Sequence, residues 1–141
     1  DIKDIEIGKF ADLRSLQCAT DDVYIVSELA NLEELHLYAL INGPLESEAV
    51  VHADAFIGFD SLTTLTLGDY ADIEEWDILA GLPSLTKLAL PGTKLADITK
   101  LAELKDLKVL DLRYNYNVTQ EQIDELRTLL PDCEIITDQL N

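Results

Sequence analysis

Methionine is absent from the 141-residue chain, even at position 1. That is expected of a piece processed or excised from a longer product, so the lack of a signal-peptide pattern at the start decides nothing about export. Cysteine is scarce: Cys18 and Cys133 are the whole supply, without the spacing of a zinc site. Basic residues are few, 10 against 28 acids, giving a net charge of −18. Such a surface repels phosphate, so nucleic acid is not an expected partner, and anionic lipid is disfavoured on the same ground. A basic or neutral protein is easier to accommodate, and the acidity itself keeps an apolar chain soluble and monomeric. No run approaches the roughly 18–20 apolar residues of a membrane span, so direct membrane insertion is not expected. Aromatic residues make up 6% of a chain that is 48% hydrophobic, so the core falls to aliphatic side chains, leucine above all.

The leucines are spelled in a fixed way. Leu85-Thr-Lys-Leu88-Ala-Leu90 and Leu107-Lys-Val-Leu110-Asp-Leu112 are the same L-x-x-L-x-L phrase, 22 residues apart, each followed after two free positions by Thr93 or Asn115. Alternation in the phrase points Leu88 and Leu90 to one face of a strand, and Lys87 and Ala89 to the other. One such strand cannot bury its apolar face alone; the next copy stacked beside it completes a leucine column. Full copies also begin at Leu32 and Leu62, and looser ones at Leu13 and at Leu130, the last read as Leu130-Pro-Asp-Cys133-Glu-Ile135. The spacing predicts one domain over 1–141. Its fold class is α/β: a leucine-rich repeat solenoid with a curved parallel β-sheet, and helices and irregular turns on the convex side. Residues 1–12 are its N-terminal cap, with Ile5–Ile7 as a strand turned back at Gly8-Lys9.

Departures from the repeat locate further elements. The second repeat runs 30 residues before the next start. Asn42-Gly43-Pro44 reads as a turn, and Glu46 to Phe56 has helical composition, which marks Asn42–Phe59 as an inserted contact element. Trp76, with Ile73 and Leu79, has the spacing of a core filler. The acids around it (Asp69, Asp72, Glu74, Glu75 and Asp77) lack the pattern of a calcium loop and read as a solvated face. Thr119-Gln-Glu-Gln122 is a capping box, and Ile123, Leu126 and Leu130 follow at helical spacing up to Pro131. The two cysteines fall in apolar slots five strands apart, roughly 24 Å at about 4.8 Å per strand. A disulfide needs Cα atoms within about 7 Å, so both thiols are expected free and buried.

The repeats of 85–115, with Thr93 and Asp97-Ile98 followed by Leu101 and Leu104, resemble those of internalins, surface proteins of bacteria. Ala55-Phe56-Ile-Gly-Phe59-Asp-Ser-Leu62 resembles the treponemal-type class of bacterial leucine-rich repeats, with Phe59 where that class has cysteine. Val118–Ile135 is similar to the terminal repeat of many bacterial members. The resemblance implies a recognition protein, extracellular or held at the cell surface. The irregular repeat lengths, and Asn at a single ninth position, imply an arc without a continuous asparagine ladder.

No phosphate-binding glycine loop, nucleophile elbow or His-x-x-x-His occurs, so no enzymatic activity, cofactor or metal is expected. Glu34 and His36 share an outward face, but a solvated surface histidine is the expected reading. What remains is the outward face of the sheet. One row comprises Gln17, His36, Thr66, Ala89, Asp111 and Glu134; its neighbour comprises Ser15, Glu34, Thr64, Lys87, Val109 and Asp132. Tyr38, Arg113 and Tyr114 lie just past the strands and are of residue types enriched at binding hot spots. The candidate ligand-binding residues are therefore His36, Tyr38, Thr66, Asp111, Arg113 and Tyr114, for a protein partner on the concave face. Two other readings are consistent with the sequence: a structural spacer, and an acidic cytoplasmic inhibitor masking a basic protein.

Overall fold

The leucine phrases become strands in the computed structural model, which describes residues 7–40, 48–95 and 97–138. Six strands form one parallel sheet: β1 (Ser15–Ala19), β2 (Glu34–Tyr38), β4 (Thr64–Gly68), β6 (Lys87–Ala89), β7 (Val109–Asp111) and β8 (Glu134–Ile136), adjacent in that order. The register aligns Leu16, Leu35, Leu65, Leu88, Leu110 and Ile135 in one column. The four inner members are fully buried, while Leu16 and Ile135 at the two ends are half-buried. Each fully buried leucine contributes roughly 1.5–3 kcal/mol of apolar transfer.

The return arms close the core from the convex side. They are a 3-10 turn over Val23–Val26, a second over Ala53–Phe56, α1 (Trp76–Ala80), a third 3-10 segment over Ile98–Glu103, and α2 (Gln120–Leu129). Trp76, the first residue of α1, is buried, as its spacing predicts. Phe56 meets Phe59 edge-on at 5.8 Å, and both are fully buried. At the start of α2, the Thr119 hydroxyl accepts from the Gln122 amide and the Gln122 side chain accepts from the Thr119 amide, so the capping box is present.

The structure corrects four expectations. Ile7–Phe10 is a 3-10 turn rather than a strand and hairpin, and Ile2 and Ile5 lie outside the described residues. Glu46–Phe56 is not one helix where described: only Ala53–Phe56 is helical, as a single 3-10 turn. Val50–His52 is a strand, β3, paired in parallel with β5 (Asp72–Glu74) one repeat on. Pairing wins over helical composition because Val51 and Ile73 both reach the core through it. The proposed Asn42-Gly43-Pro44 turn lies outside the described residues. The last strand is shifted by two positions: Glu134, not Asp132, aligns with Val109, and Ile136, not Glu134, aligns with Asp111. Leu130 is used up capping α2, its amide donating to the Leu126 carbonyl at 2.8 Å, so Ile135 enters the leucine column and Cys133 does not. Finally, both cysteines are free, as expected, but half-buried rather than buried. Burial nonetheless pushes both thiols above their ordinary pKa.

The chain leaves four of these strands, β1, β4, β6 and β7, past a side chain that bonds the backbone of another repeat, and each uses different chemistry. Asp21 accepts the Leu40 amide at 2.8 Å. The fully buried Tyr70 donates its hydroxyl to the Thr20 carbonyl at 2.6 Å, two repeats back. Thr93 donates to the Leu67 carbonyl at 2.8 Å. Asn115 donates to the Leu90 and Leu112 carbonyls at 2.7 and 2.9 Å. The ladder that lacks asparagine is thus carried by Asp, Tyr and Thr. One position earlier, three successive repeats place a residue at positive φ: Asp69 at 61°, Gly92 at 65° and Tyr114 at 66°. The left-handed residue swings the chain out of the sheet at the same point of each turn.

Candidate functional site: a concave cup

The sheet curves around small residues. Thr66 and Ala89 occupy the middle of the outward row, and both are buried by the longer side chains that flank them. The result is a cup of about 390 Å3, lined by His36, Tyr38, Thr64, Thr66, Lys87, Ala89, Pro91, Asp111, Arg113 and Tyr114. All six candidate residues read from the sequence reach this one wall. Four of its positions had no place in that set: Thr64, Lys87, Ala89 and Pro91. Three of these stand in the outward rows, and the signal that finds them is the strand register.

Several of the wall residues are held by a specific neighbour. The Tyr38 ring lies against Gly68, its register partner on β4, where an added Cβ would come within 2.5 Å of the ring. Gly68 is therefore the flat seat of Tyr38. His36 Nδ1 sits 2.8 Å from the Thr66 hydroxyl across the β2–β4 pair, which makes His36 a half-buried, fixed group rather than a freely solvated one. Arg113 folds back onto Asp111, donating from Nε at 3.0 and 3.1 Å to the two carboxylate oxygens and from Nη2 at 2.6 Å. Burial alone would raise the Asp111 pKa, but the Arg113 guanidinium and amide outweigh it and hold the carboxyl below the usual range. The same pairing holds Arg113 above its ordinary value. Asp111 is nearly enclosed, while the Arg113 side chain is 49% exposed, so its outer face stays open to a partner.

Tyr114 stands at the rim with 56% of its surface exposed. Its amide is tied to the Asp138 carboxylate. Its left-handed backbone occupies the place that Gly92 fills one repeat earlier, a conformation costing an ordinary residue about 1–2 kcal/mol. Tyr116, two residues on, is 82% exposed, and nothing in the repeat pattern marks it. The cup offers a preformed, mixed surface: two phenol rings, an imidazole, a paired guanidinium and the ammonium of Lys87. Its one internal hydroxyl–imidazole pair, Thr66 with His36, keeps the hydroxyl buried, away from anything entering the cup.

Solved structures share this backbone. An internalin of Listeria monocytogenes superposes with a TM-score of 0.60 and 17% identity, over 95% of this chain and 38% of its own. Internalin C2 of the same organism gives 0.61 and 22%, over 93% and 54%. A leucine-rich repeat protein of Leptospira interrogans gives 0.63 and 25%, over 92% and 32%. The fold is that of an internalin-like leucine-rich repeat protein. The chain spans about a third to a half of the length of these proteins. No protein-family model matches the sequence, and no curated protein is similar to it. Among the described residues of this leucine-rich repeat protein, no helix is long and apolar enough to cross a membrane.

Proposed function

We propose that this chain is a non-catalytic recognition module of a bacterial surface or secreted protein, and that it holds a protein partner in the concave cup. The observation that carries the reading is the cup itself. Residues from four adjacent strands, spread over 78 positions of sequence, converge on one wall, with His36, Tyr38 and Arg113 each held by a neighbour. A wall fixed in advance loses little side-chain entropy on binding. Tyr114 adds support, because the turn itself asks only for a left-handed residue, which Gly92 supplies without cost, and an exposed aromatic stands there instead. The net charge of −18 favours a basic partner face. The solved structures of similar fold come from bacteria, and leucine-rich repeats are in general protein-binding folds.

The test is capture from host and source-cell extracts at several salt concentrations. It compares the native chain with a variant carrying Tyr38→Ala, Arg113→Ala and Tyr114→Ala, after circular dichroism shows both equally folded. A partner kept by the native chain and lost by the variant is the expected result, with capture weakening as salt rises. Equal capture by both would move the site off the cup. No partner at any salt would leave the spacer role in its place.

A further inference from the structure

The second, two-stranded sheet assembles a cluster that the leucine pattern does not foretell. In the β3–β5 pair, Val51 and Ile73 face the core, so their neighbours His52 and Glu74, aligned by register, share the outer side. Glu75 follows Glu74 directly and in a continued strand would point to the opposite face. It does not, because its φ is +53°. The left-handed turn brings its carboxylate around beside that of Glu74. His52 Nδ1 then lies 3.2 Å from Glu74 Oε2 and 3.9 Å from Glu75 Oε2. One donor atom from each of the three residues lies within 4.8 Å of the others.

The imidazole is also supported from behind. Tyr24, from the preceding return arm, stacks on it with centroids 6.1 Å apart and planes 19° from parallel. The Tyr24 hydroxyl in turn donates to Asp54 Oδ1 at 2.6 Å, which pushes the phenol up to about 12 and keeps it protonated. The ring that would carry the nitrogen ligand is thus packed against a neighbour outside the ligand set, which limits its rotation.

The geometry points to a binding site for one divalent ion of the zinc class, held by His52 Nδ1, Glu74 and Glu75. Zinc bonds of about 2.0–2.2 Å in tetrahedral array set donors roughly 3.4 Å apart. The two measured separations, 3.2 and 3.9 Å, bracket that spacing, and the glutamates are exposed enough to close the difference. A neutral imidazole with two carboxylates carries two negative charges, which the ion balances. Imidazole suits zinc, copper and nickel, whereas calcium takes six to eight oxygen ligands that this site does not offer. Water completes the fourth position. The site stands on the side of the repeats away from the cup and needs nothing from it.

Zinc chloride titrated into the full chain, followed by calorimetry and by the imidazole resonances in NMR, tests this. The native chain and a His36→Ala variant should each bind one equivalent at micromolar zinc and perturb the His52 ring. His52→Ala, and separately Glu74→Gln with Glu75→Gln, should bind at least about tenfold more weakly while keeping the native circular dichroism. Absence of saturable binding by the native chain below millimolar zinc would overturn the site, and so would unchanged affinity in His52→Ala. Calcium binding as tight as zinc would overturn the class of ion.

Discussion

Tyr114 costs the protein stability where it stands. Gly92 holds the same left-handed position without steric penalty, so the cost at Tyr114 comes from its Cβ rather than from the turn. Tyr114→Gly is expected to leave thermal stability unchanged or to raise it by up to about 1 kcal/mol, while weakening partner capture. A chemical-denaturation series alongside the capture assay checks both. A loss of more than about 1 kcal/mol in that variant would mean the ring packs for the fold instead. Tyr70 is the opposite case, a tyrosine wholly inside. Burial pushes its phenol well above the usual pKa, with Cys18 and Asp21 adding to the rise. A folded value above the unfolded one means this contribution is complete below about pH 10 and is lost as pH rises toward the folded value. Unfolding free energy should therefore fall above about pH 10, and less steeply in Tyr70→Phe. At neutral pH that variant should be about 1–3 kcal/mol less stable, since the Thr20 carbonyl loses its donor. An equal alkaline slope in both proteins would reject Tyr70 as the group responsible.

Among the elements, α2 depends most on its first residue. Thr119 satisfies an orphan amide that Ala could not, so Thr119→Ala should cost about 1 kcal/mol, read as a shift in denaturant midpoint without a change in slope. An unmoved midpoint would show that packing of Ile123 and Leu126 alone sets the helix. The helix was plain in the sequence because cap, periodicity and Pro131 agree over a dozen consecutive residues. The inner strands were plain for a similar reason: Leu65, Leu88 and Leu110 each sit in a full local phrase. Two elements were not legible. For β8, Leu130-Pro-Asp-Cys133-Glu-Ile135 imitates the phrase, but Leu130 belongs to the end of α2, and only packing decides which hydrophobic residue enters the column. For β3, the strand exists because a partner lies across from it at β5, and no local pattern carries that. The cup was legible in its residues, because outward positions follow from alternation. Its pairing of Asp111 with Arg113 and the seating of Tyr38 on Gly68 depend on side-chain contacts that spacing does not give. The His52–Glu74–Glu75 cluster was hidden for both reasons, an unforeseen strand and a left-handed glutamate.

Across the whole molecule, each repeat of a solenoid touches chiefly its neighbours, and such chains are expected to come apart one turn at a time from either end. Among the described residues, the Tyr70 hydroxyl breaks that rule in the N-terminal half. It crosses the second repeat to hold the backbone of the first, while Thr93 and Asn115 reach back a single repeat each. The first three repeats are therefore expected to open more cooperatively than the last three, which amide hydrogen exchange along the chain would show. The last three can fray in sequence, β8 first. The cup straddles the boundary between the two halves, with His36, Tyr38 and Thr66 on the first and Asp111, Arg113 and Tyr114 on the second. An occupant that touches both halves would therefore act as a clasp, lending the loose end the cooperativity that Tyr70 gives the other.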